Sequence, residues 1–221
     1  MSTKSSYLIF WMLIRVWETP NLVHEIRDEI ARFAQTTQPP QIFGIPELPR
    51  LKLDLDGLVH SCPLLKACFH ETLRLHSMPI SVRSVPKDVI VGEAKGLGPS
   101  YALDAGSIVA APLGLHHHDP RFFESPFTFQ PRRFLESSES AEGKQTVIER
   151  TLRPWGVGEY ACPGRAYAEQ EVLAFVASIL ALWDFEPGGN GKWIVPKQTE
   201  RAVVSVPSGD VRVRLRPRQL S

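Results

Sequence analysis

Charge of one sign is the first thing this chain lacks. Lys plus Arg number 25 and Asp plus Glu number 24, a net charge of +1 over 221 residues. Without a basic excess there is little to neutralise a phosphate backbone, which argues against nucleic acid as the main partner. Cysteine is scarce as well. Three of them, an odd number, do not point to a disulfide framework and fit a reducing compartment. Cys62 and Cys68, six apart, read as small core residues. Long apolar runs are absent. Tyr7 to Ile14 and Val172 to Trp183, the second interrupted only by Ser178, both fall short of the ~20 residues a spanning helix needs. The first also lacks the small-residue cleavage site of a secretory signal, and the second reads as a helix buried on all sides. There is no internal repeat and no low-complexity tract; Ser137 to Gly143 reads as a polar surface loop.

The length suffices for one or two ordinary domains with a sizeable core. Tyr7 to Trp17 has the pattern of a helix end, and Thr19-Pro20 reads as the start of another, with threonine at the cap and proline in the first turn. Leu22, Ile26, Ile30 and Phe33 follow at helical spacing, with His24, Arg27, Asp28 and Arg32 on the surface. Pro39-Pro40 and Pro46 to Pro49 mark an irregular connection. Ser61-Cys62-Pro63 opens a helix over 61–76 with Leu65, Cys68, Thr72 and Leu75 on its apolar side. Lys87 to Val91 and Tyr101 to Ala111 read as strands, with Asp104-Ala105-Gly106 as a hairpin turn. Leu115 to Phe123 holds a short helix, and the chain to Trp155 is mostly loop. A long helix covers 163–183. Val211, Val213 and Leu215 alternate with Arg212, Arg214 and Arg216 as a half-exposed strand. The fold class is α+β, mainly helical with small antiparallel sheets.

The most informative stretch is Trp155 to Arg165, WGVGEYACPGR. It offers one cysteine on a glycine-bearing loop just before the long helix. Unpaired N–H groups and the dipole at a helix N-terminus favour negative charge, so a thiolate is at home there. Gly158 permits a tight bend and Gly164 a close approach of backbone to something flat. By residues alone, Cys162 is either an axial ligand for haem iron or a free buried cysteine beside a helix cap. Glu71 and Arg74 stand three apart on one helical face, the spacing of an ion pair. Downstream lies Phe129-Gln130-Pro131-Arg132-Arg133-Phe134. Three adjacent histidines, His116 to His118, do not share a helical face and have no acidic or cysteine partner at zinc-ligand spacing.

Taken together these segments resemble the cytochrome P-450 family, whose haem loop reads aromatic-x-x-Gly-x-x-x-Cys-x-Gly. Trp155, Gly158, Cys162 and Gly164 occupy those places, and the order Glu-x-x-Arg, Pro-x-Arg-Phe, thiolate loop is the same. The resemblance covers nearly the whole chain, 1–221, as a partial domain, the C-terminal, proximal haem-side part of that fold. It implies that 1–17 is the end of the distal helix, with Phe10-Trp11-Met12-Leu13 its last turns, and that 129–165 holds the loop arginine and the thiolate. It implies Cys162 as axial iron ligand and Glu71, Arg74 and Arg133 as one buried network, with Arg132 where the family often has glutamate. His117 to Pro120 matches the family's His-x-Asp-Pro segment.

For the haem propionates the candidates are Arg83 and then His117. Tyr160 departs from the family, which usually has Arg or His there; its hydroxyl offers one hydrogen bond but no charge. Trp155 replaces the usual Phe as the shield of the sulfur. The implied activity is a haem-thiolate monooxygenase inserting one atom of O2 into a small lipophilic substrate, as in secondary metabolism. Electrons come from NADPH through a flavin reductase, with Arg150, Arg153 and Arg165 as contacts on the cysteine face. Full-length relatives of the microsomal type sit on the cytosolic face of the endoplasmic reticulum. The alternatives are a haem-binding fragment without turnover, and a haem-thiolate isomerase or dehydratase. Ser5 and Ser6 are given no proton-delivering role.

Overall fold

Buried residues recur at three- and four-residue steps from the start of the chain: Leu8, Trp11, Met12 and Val16 line the inner face of α1 (Thr3–Glu18). This is a computed structural model, and it describes residues 3–39, 49–92, 98–137, 145–149, 151–199, 201 and 203–218. Thr19 closes α1 rather than opening the next helix. Its hydroxyl donates to the Arg15 carbonyl at 2.8 Å, and α2 (Leu22–Ile30) begins only after Asn21, which sits in left-handed backbone at φ 63°.

α2 buries Leu22, Ile26 and Ile30 and carries two polar side chains that tie other helices together. The Glu29 carboxylate accepts the backbone N–H groups of Leu64 and Leu65, both at 2.8 Å, and so caps α4 (Pro63–His76) from outside. Arg27, expected on the surface, is 11% exposed. It donates to the carbonyls of Leu180 (2.9 Å) and Trp183 (2.8 Å) and pairs with Asp184 at 2.7 Å. Those carbonyls lie at the end of α6 (Arg165–Leu182), where no intrahelical donor remains for them. Between α2 and α4 lie the antiparallel pair β1 (Ala34–Thr37) and β2 (Arg50–Leu53) and a short helix, α3 (Leu55–His60), which no sequence period marked. Its cap is Asp54, accepting from Gly57 N at 3.0 Å.

α4 is the axis of the structure. Twelve of its fourteen residues are buried, polar ones included, so its apolar side is not a stripe but the whole circumference. α1 and α6 pack on it, and the shared core takes Trp11, Phe69, Leu173 and Leu180. α6 is less enclosed than its composition indicated, since Phe175 is 46% exposed.

After α4 come β3 (Ile80–Ser84), β4 (Val89–Gly92), β5 (Ser100–Leu103) and β6 (Ile108–Pro112). The expected hairpin is not there. A turn does form, with Ser107 N donating to Asp104 O and Gly106 at φ 86°, but β5 pairs with β4 and β6 pairs with β3. Val85 exchanges backbone hydrogen bonds with Ser107 and Gly106, which docks the turn onto the end of β3 and sends β6 to that partner. α5 (Leu113–His117) follows, then a 3-10 turn at 131–134, β7 (Leu135–Ser137) paired with β8 (Gln145–Val147), and the loop into α6. β9 (Trp183–Pro187), β10 (Gln198–Thr199), β11 (Val206–Pro207) and β12 (Val213–Pro217) close the chain as two antiparallel pairs, β9 with β12 and β10 with β11. β12 is exposed on both faces, not half-exposed. The chain between β10 and β11 runs back under α1: Trp11 Nε1 donates to Ser205 O at 2.8 Å, and Ser205 N to His76 O at 2.8 Å.

Candidate functional site

A cleft of about 490 Å3 opens between α1 and the loop that leads into α6. Lys4, Ser5 and Leu8 form the α1 wall. Trp155, Gly156, Val157, Tyr160, Cys162 and Gly164 form the loop wall, Arg83 comes from β3, and Val203 and Val204 from the returning C-terminal stretch. The loop is held by its own backbone: Cys162 N donates to Trp155 O at 2.8 Å and Ala161 N to Gly158 O at 3.1 Å. That curl requires left-handed backbone at Gly156 (φ 79°) and Gly158 (φ 66°), conformations that cost a residue with a Cβ. Gly164 caps α6, and a Cβ there would stand 3.9 Å from Cys162 Sγ, in the space beside the sulfur. Cys162 is exposed and lines the cleft, which removes the reading of it as a buried free cysteine. Cys62 and Cys68 are both buried.

The Arg83 guanidinium lies over the Tyr160 ring. The guanidinium carbon lies 4.1 Å from the centre of the Tyr160 ring, and Arg83 Nη1 donates to Val82 O at 2.7 Å. Trp155 is half-buried, 6.3 Å from Phe69 between ring centres, and turns toward the cleft. His117 is elsewhere. It is fully buried, does not line the cleft, and its Nε2 accepts the Arg153 backbone N–H at 3.1 Å. A histidine used in this way as a neutral acceptor is no cation for an acidic ligand, so the candidacy of His117 for the propionates is withdrawn.

Behind the cleft, Glu71 and Arg74 are both completely buried. Arg74 grips Glu71 with two hydrogen bonds, Nε to Oε2 at 2.8 Å and Nη2 to Oε1 at 2.9 Å. Arg133 Nε lies 3.3 Å from Glu71 Oε1, and Gln130 N donates to the same oxygen at 2.8 Å. The outward edges of both guanidiniums are spent on loop carbonyls: Arg74 Nη1 on His117 (2.8 Å) and Pro126 (2.6 Å), Arg133 Nη1 on Glu124 (2.8 Å). Two cations on one carboxylate thus fasten the 117–134 loops to α4. Arg132 points away and pairs with Glu25 on α2. His116 and His118 are half-exposed, and no group of His, Cys, Asp or Glu among the described residues has the arrangement of a metal site.

Three buried histidines give the chain a pH dependence. Burial pushes His70 and His117 down to about 4 and His76 down to about 3, from an ordinary value of 6.5. His76 stacks on Trp11 (4.1 Å, 5° between planes), with Gln198 on one ring nitrogen and Arg15 on the other. The unfolded chain takes up these protons near 6.5 and the folded chain resists them. Stability is therefore full above that value and falls as pH drops through it toward about 4. Each histidine adds a slope of up to about 1.4 kcal/mol per pH unit. Urea midpoints measured between about pH 7.5 and about pH 5 should decline steadily, and His76→Gln should flatten the decline. A flat profile in the parent chain contradicts this.

A family model described as cytochrome P450 matches residues 2–211. The chain belongs to the cytochrome P450 family. It is 29% identical over 216 residues to the cytochrome P450 monooxygenase nodJ of Hypoxylon pulicicidum, covering 95% of this chain and 40% of that protein. To 7-alpha-hydroxycholest-4-en-3-one 12-alpha-hydroxylase of Oryctolagus cuniculus it is 30% identical over 222 residues, covering 96% of this chain and 42% of the relative. Among solved structures, a cytochrome P450 (CYP102L1) superposes with a TM-score of 0.67 at 25% identity, covering 97% of this chain and 42% of that one. The chain spans about 40% of the length of the curated relatives it matches, and corresponds to the C-terminal part of the P450 fold. No helix among the described residues is long and apolar enough to cross a membrane.

The P450 fold implies a haem cofactor and an electron-transfer partner. The cleft fits such a group on three counts: a soft sulfur donor on one wall, a missing Cβ beside it, and a guanidinium at its edge for acidic substituents. Its volume lies within the roughly 300–1,000 Å3 of small-molecule sites. Sequence reasoning gave no role to Ser5, a buried alcohol in the α1 wall, and did not single out Lys4, Leu8, Val203 or Val204. The first three follow an i, i+1, i+4 pattern that marks one helix face. Val203 and Val204 carry no local signal, because only the return of the chain under α1 brings them there.

Proposed function

We propose that this chain is the haem-ligating part of a P450 monooxygenase that inserts one oxygen atom from O2 into a lipophilic substrate. The observation that carries this is the exposed Cys162 side chain on the wall of a cleft that also holds Arg83. Haem iron, when bound, supplies the oxygen chemistry, and a thiolate ligand favours O–O cleavage. Cys162 Sγ, on the loop from Trp155 to Gly164, would hold the iron, and the loop's backbone hydrogen bonds set the position of Cys162. Trp155, which lines the cleft with Cys162 and has Phe69 at 6.3 Å between ring centres, would shield the sulfur. Leu8, Leu73, Ile80, Val82 and Leu113 make the lining mostly apolar, which supports a lipophilic substrate. Ser5 is the buried hydroxyl on the α1 wall, suited to hold a proton at Oγ. Electrons come from NADPH through a flavin reductase that docks on the cysteine-loop face, where Arg153 and Arg165 are exposed; Arg150 lies outside the described residues.

A second reading, haem binding without turnover, is favoured by the exposure of Ile80 (55%) and Val82 (52%), which leaves the cleft mouth open to solvent. One experiment separates the two. The purified chain is loaded with haemin and given NADPH, O2 and a flavin reductase. Monooxygenation of a lipophilic probe such as a sterol or fatty acid supports the first reading. A stable haem complex with no product leaves only the second, and no haem complex at all removes both.

A further inference from the structure

Tyr160 ends the 3-10 turn at 158–160, and its side chain stands outside the packed core. It is 65% exposed, and its ring face is covered on one side by the Arg83 guanidinium at 4.1 Å. Its hydroxyl, the group that sequence reasoning offered as a donor, is not what meets the cation. The two residues come from β3 and from the 158–160 turn, far apart in the chain, and they converge on the rim of the cleft that contains Cys162. Arg83 has a second restraint, its Nη1 bond to the Val82 carbonyl at 2.7 Å. Held from below by a ring and from behind by a carbonyl, the guanidinium keeps its remaining N–H edge for a ligand. The other cation in the lining is Lys4, on the α1 wall.

Resting on the haem-binding reading above, we infer that Tyr160 is a positioning residue, whose ring holds the Arg83 guanidinium where it meets an acidic side group of the bound porphyrin. At this position the family usually places a second cation, and here a ring face does a different task. It contributes no charge but restricts the charge of Arg83, and preorganisation of that kind lowers the ordering cost of binding. An aromatic face beneath an exposed guanidinium favours that placement by about two- to fivefold, and a ligand that needs the placement gains up to the same factor. Because the ring face and not the hydroxyl does this, Tyr160→Phe should keep the effect, and Tyr160→Leu, with similar apolar bulk and no π-face, should lose it.

The test is a spectroscopic titration of the purified chain with haemin and, separately, with haemin dimethyl ester, whose acid groups are masked. Parent and Tyr160→Phe should bind haemin equally. Tyr160→Leu and Arg83→Met should bind it more weakly, by about two- to fivefold for the tyrosine variant and by more for the arginine variant. All four should bind the ester alike. Equal haemin affinity in Tyr160→Leu overturns the inference, as does an equal loss for haemin and ester, which would mark a merely structural role. Failure of the parent chain to bind either porphyrin overturns the haem-binding reading and the inference with it. Tyr160 is exposed, so its variants should keep the parent's melting temperature.

Discussion

Glu71→Ala should sharply lower the yield of soluble, folded protein and its melting temperature. The carboxylate is completely buried and satisfies Arg74 through two hydrogen bonds, Arg133 through an ion pair at 3.3 Å and the Gln130 N–H at 2.8 Å. Alanine would leave one guanidinium wholly buried and a second 11% exposed, with no anion between them. Breaking a buried pair from one side costs about 3–5 kcal/mol, against a total stability of about 5–15 kcal/mol. In a chain of this size that is a fall of roughly 6–20 °C in melting temperature. Whatever folds should also lose the loops at 117–134, since Arg74 reaches the carbonyls of His117 and Pro126 only while Glu71 orients it. The measurement is soluble yield and thermal melting beside Glu71→Gln. The amide keeps an acceptor oxygen but not the charge, so its loss should be smaller. A soluble Glu71→Ala chain that melts within a few degrees of the parent would show that the two arginines do not depend on the carboxylate.

The contrast between what sequence reveals and what it hides follows from range. The helix that carries Glu71 and Arg74 is legible because its signals are local: Pro63 at the first turn, apolar residues at helical steps, and Pro79 beyond the end. The thiolate loop is legible because two glycines and one cysteine at fixed offsets state a backbone shape and a chemistry together. Arg27 looked like a surface charge because its neighbours in sequence are polar, yet its partners at Leu180 and Trp183 lie 153 and 156 residues away. Glu29 capping α4 is hidden for the same reason. Strand identity came through better than strand partnership. The turn at Asp104 is real, but which strand receives β6 is decided by the docking of Val85 on that turn. His117 shows the limit from the other side. A motif position read as a cation is, in three dimensions, a buried neutral acceptor whose surroundings hold its proton affinity down to about 4, chiefly through desolvation.

Cys162→Ser should leave the fold intact and remove the thiolate signature of the loaded protein entirely. Cys162 is exposed, so exchanging sulfur for oxygen opens no cavity, and the melting temperature of the haem-free chain should be unchanged. The ligand chemistry changes completely. A serine hydroxyl keeps its proton near neutral pH and is a hard, weak donor, whereas a cysteine can offer a soft thiolate. The reduced carbon-monoxide difference spectrum of the haem-loaded parent should therefore carry a thiolate-type Soret shift, and Cys162→Ser should carry none. The other two cysteines supply an internal control. Cys62 and Cys68 are buried; desolvation, reinforced by the charge of Glu29, pushes the Cys62 thiol up to about 12 and the Cys68 thiol well above its ordinary range. Neither can present a thiolate to the cleft at neutral pH, so Cys62→Ser and Cys68→Ser should both keep the shift. If the shift outlived Cys162→Ser, the iron would have to be held by some other side chain, and the cleft between α1 and the loop would not be its site. If it vanished instead in Cys68→Ser with the fold preserved, the ligand would lie inside α4, where this structure leaves no room for a porphyrin.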